Sequence, residues 1–326
     1  MTYPATLRVL VVALTACVLS LALPVRAQST FSSANVSVAL IIDSSESMRV
    51  NDPQGLRKSA AKLFIDLLQL GDKVAVIKFD SSATTLAPLT TIRTPADRAT
   101  LKTAVDRVTN SGGTVISDGL YKGYEQLLLD MTSDDKGAVV FTDADATYNS
   151  QVARYTAKGW PIHVIALNTE NAVLGRIAAE TGGRLYSASD NTVLQDIIVE
   201  IVSLFHVPRS DESTDAVLLP NQSLVFTTEI PDDTAQVTVT TSWMRYTFDM
   251  RLVLPSGQII EAATVPPGVY HTKAATYEVF RVDNPEDGEW RIEVTGIGVP
   301  ADGEPVALDV QLISRYRYLF LPVLFK

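Results

Sequence analysis

The residues of this chain best suited to chemistry by type and spacing are Asp43-Ser44-Ser45-Glu46-Ser47. A carboxylate and two hydroxyls stand at alternate positions, Asp43, Ser45 and Ser47, so one turn can aim all three at a single point. Oxygen donors of this kind suit a hard cation, Mg2+ first and Ca2+ or Mn2+ second. The same five residues also suit a plain turn or a helix cap, with Asp43 or Ser47 accepting backbone N–H groups.

Two further loops carry matching chemistry. Gly112-Gly113-Thr114 joins two glycines, which let backbone approach a crevice closely, to a hydroxyl just before a helix; a plain turn is the alternative reading. Thr142-Asp143 follows the apolar run Gly137 to Phe141.

The elements that must position these loops can be read from periodicity. Val36 to Ile42 is a β-branched and aliphatic run, predicted as a strand buried on both faces with Asp43 at its carboxyl end. Arg57 to Leu70 has helical apolar spacing and Lys73 to Phe79 reads as a strand, with Ala83 to Leu89 as its edge partner. Thr94-Pro95 opens a helix running to Val108. Asp118–Leu129, Gln151–Lys158, Val173–Thr181 and Val193–Phe205 are predicted helices. Pro161–Leu167 and Arg184–Ser187 are predicted strands. Repeated strand–helix units of this kind imply an α/β fold, a doubly wound, mostly parallel sheet covered by helices, with ligands at the carboxyl ends of the strands.

Asp43-x-Ser45-x-Ser47-Met48, then Gly112-Gly113-Thr114, then Phe141-Thr142-Asp143 resembles, in that order, the von Willebrand factor A (vWA) domain with its metal-ion-dependent adhesion site. The resemblance spans about residues 36 to 205. It implies that Ser45 and Ser47 ligate a divalent ion directly, Thr114 directly or through water, and Asp43 and Asp143 mostly through water. It further implies an open coordination position for an Asp or Glu of a protein partner. One departure is Ala144, where the family commonly has glycine; Asp145 beside it adds an acid, read first as a cap for the next helix.

Beyond Phe205 the pattern changes. Residues 207–215 are polar and predicted as a linker. From Ala216 apolar and polar residues alternate, as in Val237–Thr240, Tyr246–Leu252, Trp290–Val294 and Leu308–Leu312, with turns at Pro255-Ser256-Gly257 and Asn284 to Gly288. Short alternating strands predict a smaller all-β sandwich over 216–315. Asn284-Pro285 to Trp290 is also similar to accessory β-sandwich modules beside secreted A domains. Trp243 and Trp290 read as core anchors rather than a sugar platform. Residues 316–326 form an apolar tail too short to span a bilayer.

At the other end, Arg8, the apolar stretch Val9 to Val25 and then Val25-Arg26-Ala27 read as a secretory signal peptide over residues 1–27. An uncleaved anchor, or lipid on Cys17, is the alternative. Cys17 is the single cysteine, so cleavage after Ala27 leaves no thiol for disulfides or catalysis. The vWA-like domain is then expected over 34–206.

The whole chain carries a formal net charge of −10, made more negative by loss of Arg8 and Arg26 with the leader. That balance argues against nucleic acid or an anionic membrane as partner. The sequence has no His-Glu-x-x-His, Gly-x-Ser-x-Gly or phosphate-binding Gly-Lys-Ser/Thr motif, so an enzyme is not expected. The expectation is a secreted or cell-surface adhesion module with no membrane span in the mature chain, gripping an extracellular partner's Asp or Glu through Mg2+. The alternatives are a metal-free scaffold and a hydrolase with a non-contiguous site.

Overall fold

A computed structural model describes residues 35–133, 135–143, 150–168, 172–188, 190–206 and 210–315. The expected signal peptide, Ala144, Asp145 and the apolar tail lie outside the described residues, as does all but Asn35 of the stretch ahead of the first strand.

The first half alternates strand and helix. Strand β1 (Val36–Asp43) leads through α1 (Met48–Asn51) to α2 (Leu56–Leu67), β2 (Lys73–Phe79) and β3 (Ala83–Thr91). Then come α3 (Pro95–Asp106), α4 (Ile116–Leu128), β4 (Asp135–Thr142), α5 (Gln151–Lys158), β5 (Ile162–Leu167), α6 (Ala172–Thr181), β6 (Leu185–Ala188) and α7 (Asn191–His206). The sheet runs β3-β2-β1-β4-β5-β6, parallel throughout except for the β2–β3 hairpin at its edge.

Every residue of β1 is buried, because helices cover both faces of the sheet. Val38, Leu40 and Ile42 face one core with residues of α2, α3 and α7. Ala39 and Ile41 face the other with residues of α4, α5 and α6. This two-sided burial is why the strand reads as a continuous apolar run rather than an alternating one. Helix α3 starts as its sequence predicts: Thr94 and Asp97 form a reciprocal capping box with Pro95 in the first turn. Helix α2 ends at Leu67 rather than Leu70, where Leu68 turns extended and the Asp72 carboxylate takes the Gln69 N–H at 2.6 Å.

The second half is all β. Strands β7 (Ser210–Leu218), β8 (Ser223–Ile230), β9 (Thr234–Trp243), β10 (Thr247–Val253) and β11 (Ile259–Glu261) are followed by β12 (Val269–Lys273), β13 (Tyr277–Asp283), β14 (Gly288–Ile297) and β15 (Glu304–Ser314). They form two antiparallel sheets, β11-β10-β14-β8 and β12-β13-β9-β15-β7. One core joins inward residues of both, including Val239, Phe248, Phe280 and Trp290. Trp243 and Trp290 are fully buried, as core anchors should be.

The expected linker over 207–215 is corrected from Ser210 onward by β7, with 207–209 outside the described residues. From Ser210 onward these residues pair with β15, Leu312 opposite Ser210 through Glu304 opposite Leu218. An edge strand is held by main-chain pairing on one side, so a run of acids, serine and threonine can join a sheet without an apolar signature.

The two halves also share a buried seam. Tyr277 and Val279 of β13 belong to the same core as α2 and α7. Asp66 near the end of α2 has a fully buried side chain that accepts from Tyr270 Oη and Tyr277 Oη, each at 2.8 Å, and from Lys102 Nζ at 2.9 Å. Arg281 donates to the carbonyls of Asp66 and Leu67 at 2.8 and 2.7 Å.

Candidate functional site

Strand β1 delivers Asp43, fully buried, to the carboxyl edge of the sheet, and the chain then turns sharply into α1. The Asp43 carboxylate holds that turn: Oδ1 accepts the Ser45 N–H at 2.8 Å and Oδ2 accepts the Thr142 hydroxyl at 2.6 Å. The Ser45 and Ser47 hydroxyls lie 3.0 Å apart, and Ser47 Oγ donates to Asp143 Oδ1 at 3.0 Å. Asp43, Ser45, Ser47 and Asp143 thus form one continuous polar chain across the ends of β1 and β4. Ser45 is buried and Ser47 exposed, so the chain runs from the interior to the surface.

Thr114 is placed differently. Its loop adjoins the first one, with the Gly112 carbonyl accepting the Glu46 N–H at 3.2 Å and the Ser111 N–H donating to the Ser44 carbonyl at 2.7 Å. Thr114 itself is exposed, one residue before the helix cap Val115. Gly112 has φ of +69°, and a Cβ there would come within 2.8 Å of Ser81 Oγ. The positive φ favours glycine at that position, whereas the Ser81 hydroxyl could rotate away from a side chain.

Several residues of this site escaped the sequence reading. Asn51 Nδ2 donates to Asp143 Oδ2 at 2.9 Å, and the Asn51 carbonyl accepts from Asn168 Nδ2 at 2.8 Å. Arg57, fully buried, donates from Nε to the Asp43 carbonyl at 2.9 Å and forms an ion pair with Asp52. Ser44 is buried, and its hydroxyl donates to the Phe79 carbonyl at 2.9 Å. Asn51 and Asn168 carry no motif. Arg57 is visible in the sequence only as the first polar residue of a helical pattern.

Burial pushes the Asp43 carboxyl above its ordinary value, opposed by hydrogen bonds from Ser45 and Thr142 and reinforced by the nearby Asp143. Among the described residues neither Asp43 nor Asp143 has an ion-pair partner, and Arg57 is engaged by Asp52, the Asp43 carbonyl and the Asn110 side chain. Among the described residues no group of three or more His, Cys, Asp or Glu side chains is arranged to hold a metal. Any cation held here would rely on hydroxyls as well as the two carboxylates.

An α/β domain presenting hydroxyls and carboxylates from separate loops at the carboxyl edge of a mostly parallel sheet is a ligand-binding class of fold. Residues 37–200, half of the chain, match the von Willebrand factor type A domain, and the chain belongs to that family. Calcium-activated chloride channel regulator 1 of Equus caballus is 32% identical over 169 residues, covering 50% of this chain and 18% of the horse protein. Calcium-activated chloride channel regulator 4 of Homo sapiens is 25% identical over 292 residues, covering 85% of this chain and 30% of that protein. The chain therefore spans less than a third of either relative's length. Among solved structures, a von Willebrand factor type A protein from Catenulispora acidiphila aligns at 18% identity with a TM-score of 0.47, over 86% of this chain and 58% of that one. Among the described residues no helix is long and apolar enough to cross a membrane.

Proposed function

We propose that this vWA domain binds a divalent cation, Mg2+ first, and through it an Asp or Glu side chain of an extracellular or surface protein. Ser45 and Ser47 serve as direct ligands. Thr114 joins them directly or through water, and Asp43 and Asp143 act mainly through ordered water. The observation that carries the reading is the 3.0 Å separation of the Ser45 and Ser47 hydroxyls, with Asp143 a further 3.0 Å from Ser47. Adjacent ligands on an octahedral Mg2+ with bonds of about 2.1 Å stand roughly 3.0 Å apart, so the oxygens already have the spacing the ion needs.

The donor set fits chemically as well. Hydroxyls and carboxylates are hard oxygen ligands, and carboxylates held largely through water leave the ion with residual positive charge. When bound, the ion supplies a Lewis-acidic point for an incoming carboxylate. The chain's own residues do the positioning: Thr142 and the Ser45 N–H orient Asp43, Asn51 orients Asp143, and Arg57 anchors the main chain beneath the site. No covalent step is part of this function. The leader-like residues 1–27 support placement on the extracellular side of a membrane, in secreted or surface-held form.

Metal added to the full chain should raise its melting temperature by mass action, by about 2.7 kcal/mol of stability at one hundred times Kd. Asp43→Ala and Ser45→Ala should each abolish that rise. The absence of a shift at millimolar Mg2+ or Mn2+ would instead favour a metal-free scaffold. Hydrolase activity that survives both substitutions would argue for an enzyme.

A further inference from the structure

Beside the metal-site loops lies an open groove of about 540 Å3, between α1, the start of α2 and the end of α3. Its lining includes Arg49, Arg57, Lys58 and Lys62, with Asp52 and Asp106 as its acids. In a chain with a net charge of −10 this is a local reversal of sign.

The pairing of these groups decides what the groove can accept. Arg57 and Asp52 are a fully buried ion pair and cancel. Lys62 pairs with Asp106, and Arg49 pairs with Glu46 at 2.6 Å, each pair having a partner more than half exposed. Exposed pairs of this kind contribute little and exchange readily for another carboxylate. Lys58 is half-buried and donates to the main-chain carbonyls of Asp106 and Val108 at 3.1 and 3.2 Å, with no carboxylate in an ion pair among the described residues. Burial lowers its pKa, opposed by Asp106 and reinforced by the neighbouring Arg57 and Lys62.

The groove also adjoins the loops of the proposed metal site. Arg49 lies two residues after Ser47 and donates to the Asn110 carbonyl at 3.1 Å. Asn110 precedes Ser111, whose N–H closes on the Ser44 carbonyl. An extended segment advances about 3.3 Å per residue with alternate side chains on one side. A segment with one carboxylate at Ser45 and Ser47 that continues into the groove meets a lining that carries Arg49, Lys58 and Lys62.

We propose that this groove is an extension of the metal site that selects partners whose binding segment is a run of acidic residues. The inference rests on the metal-site reading, because the cation places the first carboxylate; Arg49, Lys58 and Lys62 then hold those that follow.

The test uses the full chain and two labelled probes, hexa-aspartate and a glycine peptide with a single aspartate, with binding followed by fluorescence anisotropy in Mg2+ and in chelator. In Mg2+ at low salt, hexa-aspartate should bind at least about tenfold tighter than the single-aspartate peptide, and the margin should shrink at high salt. The R49Q/K58Q/K62Q variant should lose that margin while binding the single-aspartate peptide within about twofold of the parent. Because Lys58 also secures main-chain carbonyls, the variant's melting temperature is measured in parallel. If it does not fold, Arg49→Gln alone should narrow the margin by about threefold.

A margin that is absent in the parent, or unchanged in a folded variant, overturns the groove. If magnesium still governs both peptides in that case, the metal site stands without it. If magnesium affects neither peptide while the variant loses its hold on hexa-aspartate, the cations bind acids by charge alone, and the metal reading falls together with the extension built on it.

Discussion

At the scale of single residues, the site depends as much on the groups that orient its acids as on the acids themselves. Asn51 is the side chain that fixes Asp143 Oδ2, leaving Oδ1 for Ser47. Groups that orient metal-site ligands commonly govern affinity by about 10–100-fold, so under the proposed function Asn51→Ala should weaken Mg2+ binding by about tenfold or more. A titration of melting temperature against metal checks it, and an unchanged midpoint would remove Asn51 from the site. A second residue, far from the site, makes stability depend on pH. His163 on β5 is buried, and burial lowers its pKa from 6.5 to about 4, with Arg184 adding to the effect. The folded state keeps this ring neutral while the unfolded chain takes up a proton, so stability is full above pH 6.5 and falls as pH drops toward 4. The loss approaches about 3 kcal/mol, at 1.36 kcal/mol per pKa unit. Denaturant unfolding of the parent and of His163→Gln across that window should show a shallower slope for the variant.

At the scale of elements, the close contact between α4 and β1 depends on glycine. A Cβ at Gly123 would lie 2.7 Å from both Ile41 Cδ1 and Tyr155 Oη and 3.1 Å from Ala39 Cβ. The helix packs so closely on the strand carrying Asp43 that no side chain fits. Gly123→Ala should cost about 1–3 kcal/mol through overpacking, despite alanine's higher helix propensity. Chemical denaturation would measure it, and a stabilised variant would show that the helix can back away from β1. Helix α2 is placed to feel both ends of the domain, with Arg57 at its start under the site and Asp66 near its end in the seam with the sandwich.

At the scale of the molecule, the two halves do not behave as beads on a string. Asp66 brings together two tyrosine hydroxyls and a lysine across the seam, and the core of α2 and α7 continues into β13. One cooperative unfolding transition is expected of the full chain. Asp66→Ala strands buried donors and should destabilise by about 3–5 kcal/mol, or split the transition into two. Calorimetry distinguishes these results, and a single transition at the parental temperature would deny the seam any energetic role.

Much of this was legible in the residues. Period-two and period-3.6 patterns are local, so buried strands such as β1 and the capped helix α3 declare themselves in the one-dimensional string. So do Asp43, Ser45 and Ser47, because a single turn sets their spacing. What the string could not reveal is held by partners distant along it: Asn51 with Asp143, Arg57 beneath Asp43, and Thr142 against Asp43. Strand β7 hid for the same reason, since a polar edge strand is defined by the main-chain hydrogen bonds of its neighbour and not by its own side chains. The seam around Asp66 joins residues more than two hundred positions apart. By itself, then, the sequence determined the alternation of strands and helices in the first half, the all-β character of the second and the loop chemistry at the sheet edge. Only the tertiary structure decided which side chains hold that loop and that the sandwich is buried against the helices, because long-range packing and hydrogen bonding leave no periodic trace in the chain.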